Sequence, residues 1–347
     1  MSSPPRARAV IEVMTAYTPG EQPGPGERVI KLNTNENPFP PSPRVMEAIR
    51  SLDPERLRRY PSPMADGFRT TAARVLGVKP EMILAGNGSD EILAMAVRTF
   101  LGPGDVLAYP TPTYSLYPAL AEMSEVKVAE VAWAPEWKLP IEALVHSGAR
   151  GVFFANPNAP SGTLVSPEEV RVLAARFEGV VLVDEAYVDF ADTHCLGLLA
   201  TCPNVIISRT FSKGYSLAGL RFGYAVAAPE LIAAMAKVKD SYNCDALSVT
   251  AATAALEDQE HARRAWELVR AERARLSSEL SGRGWKVIPS QANFLLATCP
   301  GGDGGAMYRG LKAKGILVRY FDKPGLADKV RITIGTPAQN DALLAAL

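Results

Sequence analysis

Thr210-Phe-Ser-Lys213 places a primary amine among hydroxyl groups, and Arg221 follows the lysine eight residues later. In an apolar cleft the ammonium form is penalised. Lys213 then becomes a usable nucleophile toward an aldehyde and a carrier for a proton. Thr210 and Ser212 can donate hydroxyl hydrogen bonds to phosphate oxygens, and Arg221 offers the planar fork that suits them. Upstream stands Val181-Leu-Val-Asp-Glu-Ala-Tyr187. Asp184 closes an apolar run where a carboxylate is costly without a partner, and a protonated ring nitrogen is one such partner. Tyr187 is three residues further on and can donate its hydroxyl to an oxygen of the same ring.

Further candidates lie near other segment ends. Gly86-Asn-Gly-Ser-Asp-Glu91 follows a strand-like run and opens a helix-like one, so its amides can cradle a phosphate at a helix N-terminus. The dinucleotide spacing fails at Glu91, whose charge would face a pyrophosphate. Tyr114, on a loop after a strand, presents an aromatic face to a flat ligand. Asn156 ends another apolar run, and Arg319 and Arg331 close or interrupt apolar strands where an anion would satisfy them. Taken singly, each residue has a plainer reading: a solvated lysine, a capping aspartate, a tyrosine lid over the core, a capped helix without ligand. Together they supply what pyridoxal 5'-phosphate (PLP) requires of a protein: an amine, an acid for the pyridine nitrogen and a phosphate cradle.

The chain that must position these residues has 347 residues, enough for two lobes. Lys plus Arg and Asp plus Glu number 37 each, so the charge balance points away from nucleic acid and anionic membrane and toward a small-molecule client. Cys195, Cys202, Cys244 and Cys299 form no C-x-x-C pair and no metal spacing with His146, His194 and His261, so they read as reduced thiols and no metal is expected. The basic first residues lack the apolar run of a secretory signal, and no stretch reaches the length of a membrane span. A cytoplasmic location is the expectation.

Strand-like runs at Met82–Ala85, Asp105–Tyr109, Gly151–Ala155, Val180–Val183 and Val205–Ser208 alternate with helix-like ones at Asp90–Phe100 and Pro167–Phe177. Near-continuous apolar strands separated by helices predict an α/β domain with a mostly parallel sheet covered by helices on both faces. Proline and glycine between Thr18 and Gly26 predict an extended arm or mobile linker. The expected division is an N-terminal arm over residues 1–40, partly belonging to the small domain, a large ligand-binding domain over 41–245, and a smaller α+β domain over 246–347. A single long linking helix is expected across 246–280.

In their order along the chain these segments resemble the fold-type I PLP-dependent aminotransferases of class I/II, and the histidinol-phosphate aminotransferase family in particular. The resemblance is carried by Leu32-Asn-Thr-Asn-Glu-Asn-Pro38, Arg58-Arg-Tyr-Pro61, Asn87-Gly-Ser-Asp-Glu91, Pro112-Thr-Tyr114 and Asn156-Pro-Asn-Ala-Pro-Ser-Gly162. It continues through Asp184-Glu-Ala-Tyr187, Thr210-Phe-Ser-Lys213, Leu217-Ala-Gly-Leu-Arg221 and Val330-Arg-Ile-Thr-Ile-Gly335. It implies that Lys213 holds the cofactor covalently, Asp184 its ring nitrogen, Tyr187 its ring oxygen, and Tyr114 its face. Gly88, Ser89, Asp90, Ser212 and Arg221 would hold the phosphate, with Tyr60 reaching in from the second subunit of a homodimer that shares its active sites. Arg331 would bind the amino donor's carboxylate or the phosphate of a phosphorylated keto acceptor, helped by Arg319 and by Tyr17 on the arm, and Asn37 is a further substrate-side candidate. One departure stands out: Ala159 occupies the place of the asparagine that usually reaches the ring oxygen. Either Asn156 or Asn158 replaces it, or Tyr187 acts alone. An aromatic amino acid aminotransferase, a phospho-amino-acid decarboxylase of the same fold, and a catalytically silent PLP-binding module are the rival readings.

Overall fold

The computed structural model describes residues 5–15, 20–24 and 26–347. Its strands are β1 (Ile30–Lys31), β2 (Ile83–Gly86), β3 (Val106–Thr111), β4 (Lys127–Ala132), β5 (Gly151–Ala155), β6 (Val180–Asp184), β7 (Val205–Thr210) and β8 (Gly223–Ala227). They continue with β9 (Lys286–Val287), β10 (Phe294–Thr298), β11 (Ile316–Leu317), β12 (Arg319–Tyr320) and β13 (Lys329–Thr333). Seven of them form the main sheet in the order β2-β8-β7-β6-β5-β3-β4. From β7 to β4 the neighbours run parallel, whereas β8 is antiparallel to both β2 and β7.

Every residue of β5, β6 and β7 is buried, which explains the apolar runs with which all three strands begin. Alternation along β6 sends Leu182 to one face, where it meets Ile92, Leu93 and Met95 of the helix Ser89–Phe100. Val181 and Val183 face the other way and pack on Val170 and Leu173 of the helix Pro167–Arg176. That helix starts where the sequence tells it to: Ser166 and Glu169 form a reciprocal capping box and Pro167 occupies the first turn.

A second sheet, β12-β13-β10-β9, is antiparallel and carries its own apolar cluster with Leu295, Val330 and Ile332. Next to it β1 pairs in parallel with β11, Ile30 opposite Ile316, and Leu32 O accepts from Thr333 N at 2.9 Å. This pairing ties the N-terminal segment to the C-terminal lobe and runs residues 33–37 between the two sheets.

The long helix expected across 246–280 is two helices, Ala246–Glu257 and Gln259–Gly282. Asp258 separates them. It leaves helical geometry (φ −97°, ψ 61°) and its side chain caps the second helix by accepting from His261 N, while Ser42 Oγ donates to the same carboxylate. A contact from two hundred residues upstream thus fixes a break that local composition conceals. Among the described residues, no helix is long and apolar enough to cross a membrane.

Candidate functional site

Ala155, Asp184 and Thr210 end three adjacent parallel strands, and their carboxyl ends open on one cleft. Asp184 and Glu185, consecutive at the end of β6, part company there. Glu185 makes a buried ion pair with Arg209 at 2.7 Å and accepts from Cys195 N. Asp184 lines the cleft, 3% exposed; one carboxylate oxygen, Oδ2, accepts from Tyr117 Oη at 3.1 Å, while among the described residues no hydrogen bond to the buried Oδ1 is made. Burial pushes its pKa up to about 7, against the opposing pull of the Tyr117 hydroxyl and the Ala186 amide.

Lys213 sits at the mouth of β7, half-buried, with Nζ donating to Thr34 O at 2.9 Å. Burial lowers its pKa to about 8; Glu36 opposes the change and Arg331 adds to it. Gly214 follows because space requires it: a Cβ there would lie 2.0 Å from Asp189 Oδ2. The Nζ also lies 5.9 Å from the centre of the Tyr187 ring, which packs edge-on against Phe294.

A second group of polar residues surrounds the start of the helix Ser89–Phe100. Gly88 has φ +87°, and a Cβ on it would come 2.8 Å from Arg221 Nη2, so glycine lets the guanidinium approach the helix N-terminus. Arg221 itself holds a left-handed backbone (φ 50°) and donates to Ser212 Oγ at 3.2 Å and Asp90 Oδ2 at 3.3 Å. Thr210 Oγ1 donates to Ser212 Oγ at 3.0 Å and accepts from Ser212 N, so it braces the serine. Tyr114 Oη donates to Asp90 Oδ1 at 3.2 Å, and its ring borders the cleft. Amide donors, a serine hydroxyl and a guanidinium converging at a helix start are suited to a phosphate.

At the other end of the cleft, Arg319 and Arg331 face the same opening from adjacent strands. Both guanidiniums lie over the Phe321 ring, 5.4 and 5.5 Å from its centre, and Arg331 also lies 5.1 Å over Phe294. Arg331 Nη2 donates to Asn33 O.

Three predicted residues are turned elsewhere. Asn37 donates from Nδ2 to the carbonyls of Lys213 and Gly214, bracing the lysine from behind. Asn156 exchanges two hydrogen bonds with the Val165 backbone. Asn158 is occupied by Thr113, Pro112 and Ser161. Neither asparagine is among the residues that line the cleft, whereas Ala159 is. Tyr60 is 81% exposed and stacks on Tyr242 at 4.4 Å, outside the cleft of its own chain. Tyr17 lies outside the described residues. Sequence reasoning missed Tyr117, Asn35 and Phe321; Asn35 Nδ2 donates to Tyr187 Oη at 3.0 Å, a contact across 152 residues with no local signal.

The main sheet, the smaller lobe and a cleft in which an amine, a buried carboxyl and an anion cradle meet define an α/β enzyme of fold type I. The chain belongs to the aminotransferase class I and II family, which it matches over residues 27–347. It is 47% identical over 340 residues to histidinol-phosphate aminotransferase 1 of a Nostoc species, covering 98% of this chain and 96% of that one. It is 44% identical to the histidinol-phosphate aminotransferase of Rhodopirellula baltica, covering 97% and 93%. Among solved structures it resembles histidinol-phosphate aminotransferase from Sinorhizobium meliloti in complex with pyridoxal 5'-phosphate, with TM-score 0.90, 27% identity, and coverage of 100% of this chain and 97% of that one. A mutant aspartate aminotransferase of Thermus thermophilus shares the fold at TM-score 0.81 and 21% identity, covering 99% of each chain.

Proposed function

We propose that this chain is a PLP-dependent aminotransferase that moves an amino group between glutamate and 2-oxoglutarate on one side and histidinol phosphate and imidazole-acetol phosphate on the other. The carrying observation is the Asp184 carboxyl: buried at the cleft wall, its pKa pushed up to about 7, with one oxygen held by Tyr117 and the other making no hydrogen bond among the described residues. Asp184, as a carboxylate, would hold the protonated pyridine nitrogen of the cofactor. Bound PLP supplies an electron sink for the negative charge left at the substrate Cα when its proton departs.

The residues present fit that group. Lys213 is the covalent holder, Asp184 takes the ring N–H, Tyr187 faces the ring oxygen, and Tyr114 supplies an aromatic face. Gly88, Ser89, Ser212 and Arg221 hold the phosphate, with Asp90 anchoring Arg221 and Tyr114. As a free amine, Lys213 would take the proton from the substrate Cα and return it, on the same face, to the cofactor's C4' carbon. Its pKa of about 8 makes that exchange feasible near neutral pH. Arg331 grips the glutamate carboxylate or the phosphate of the other substrate in alternate half-reactions, and Arg319 adds a second cation for the more highly charged group. Pro160 and Phe321 also line the cleft.

The exposed Tyr60–Tyr242 stack and the groove beside it, with Arg56 and Arg59, support assembly as a homodimer in which Tyr60 enters the neighbouring cleft. Reconstitution with PLP tests the reading: a visible absorption band forms on the parent protein and is absent from Lys213→Ala. Transamination by Lys213→Ala at the parent rate would refute it. A preference for phenylalanine or tyrosine as donor, or release of carbon dioxide from threonine phosphate, would transfer the assignment to an aromatic aminotransferase or a decarboxylase.

A further inference from the structure

Asn35 is 1% exposed and sits where three parts of the fold meet. Its backbone is left-handed (φ 58°), a conformation asparagine tolerates better than most residues. Its N–H donates to Thr333 Oγ1 at 3.0 Å, the Thr333 hydroxyl donates back to Asn35 Oδ1 at 3.0 Å, and Asn293 Nδ2 donates to Asn35 O at 3.0 Å. Because Oδ1 takes the threonine hydrogen, the carboxamide has one orientation. Its NH2 group points at Tyr187 Oη, 3.0 Å away. Thr333 ends β13 and Asn293 precedes β10 in the small sheet, whereas Tyr187 follows β6 of the main sheet. The bond therefore joins the two lobes at a residue that borders the cleft.

We propose that Asn35 is a positioning residue that orients the Tyr187 hydroxyl toward the ring oxygen of the bound cofactor, compensating for the donor that Ala159 does not provide. A phenol oxygen that accepts from an amide directs its own hydrogen elsewhere and becomes a stronger donor, since hydrogen bonds in a chain polarise one another. Ala159 lies in the same wall, 5% exposed and packed with Phe294 and Tyr187, and its methyl group donates nothing. The small lobe, through Thr333 and Asn35, thus sets how well Tyr187 stabilises negative charge on that oxygen.

The inference rests on the cofactor reading above, and its test separates the two. The readout is the visible absorption of bound PLP, titrated from about pH 5 to 10. A donor to the ring oxygen favours its ionised form, so removing the donor's support moves the midpoint up. Asn35→Gly keeps the left-handed backbone and both backbone hydrogen bonds while deleting the carboxamide. It is expected to raise the midpoint by about 0.5 to 1 pH unit. In an Ala159→Asn background, where a direct donor is restored, the same substitution is expected to raise it by less than about half as much. The charged groups that line the cleft, Asp90, Asp184, Lys213, Arg221, Arg319 and Arg331, are untouched by either change. Thr333→Val, which releases the carboxamide, gives a smaller rise in the same direction and provides the test should Asn35→Gly fold poorly. A midpoint equal to the parent's in Asn35→Gly and Thr333→Val, with PLP fully bound, would reduce Asn35 to an interlobe brace and overturn the proposal. A parent protein that forms no visible band would overturn the cofactor reading itself.

Discussion

Replacing Asp184 with asparagine should move apoprotein stability and cofactor affinity in opposite directions. The carboxyl's ordinary value is 3.8 and burial pushes it up to about 7, roughly three pH units. At about 1.4 kcal/mol per unit, holding the ionised form in the apoprotein above pH 7 costs about 4 kcal/mol. The sign follows from proton counting: below pH 4 the group is protonated folded and unfolded, so it contributes nothing to the pH slope. Between about pH 4 and pH 7 the unfolded chain releases the proton and the folded one keeps it, so stability falls as pH rises. Asp184→Asn abolishes this slope while keeping an acceptor for the Tyr117 hydroxyl. At pH 8 the apo variant should therefore be more stable than the parent by up to about 4 kcal/mol, whereas near pH 4 the advantage vanishes. Cofactor binding should respond the other way, because a buried cationic ring N–H loses its anionic partner; a loss of about 3 kcal/mol or more, over 100-fold in affinity, is expected. Thermal or urea melts of the apo forms at both pH values, with PLP titrations followed by absorbance, measure both effects. Equal apo stability at pH 8, or PLP affinity like the parent's, would refute the assignment of that carboxyl.

Three other outcomes follow from the same geometry. Lys213 is reactive as the neutral amine, so the rate at which apoprotein captures PLP should rise with pH and level off above about 8, as stopped-flow absorbance would record. Tyr117→Phe removes the 3.1 Å bond to Asp184 and should weaken PLP binding by about 5- to 10-fold, seen by equilibrium titration without loss of fold. Arg331→Gln should raise KM for both glutamate and histidinol phosphate by about 10- to 100-fold, whereas Arg319→Gln should do so mainly for the phosphorylated substrate; initial-rate kinetics with each donor decide this.

Much of this site was legible because the strand ends carry it. β5, β6 and β7 are buried on both faces, so each begins with an apolar run, and the polar residues that follow it, Asn156, Asp184 and Ser208 to Thr210, stand out. Strands β4 and β8 carry weaker signatures. Lys127–Ala132 is an edge strand that is mostly solvent-facing, and its charged residues break the apolar signature. Gly223–Ala227 is a short apolar run of the kind that periodicity alone does not assign. The break at Asp258 depends on Ser42, and the orientation of Asp184 depends on Tyr117, both set by contacts distant in sequence. Asn156 and Asn158 were plausible substitutes for the missing ring-oxygen donor by proximity in the chain. Their side chains are consumed in fixing the loop that Ala159 belongs to, and the residue that reaches Tyr187 came instead from the N-terminal segment.

A cleft that accepts amino groups from both glutamate and histidinol phosphate should discriminate among amino donors. Single-turnover mixing of the PLP-loaded protein with histidinol phosphate, glutamate, phenylalanine or tyrosine, followed through loss of the visible band, tests it most directly. Rapid loss of the band is expected with histidinol phosphate and glutamate, and much slower loss with the two donors whose aromatic side chains are uncharged. Faster conversion by phenylalanine or tyrosine than by histidinol phosphate would contradict it.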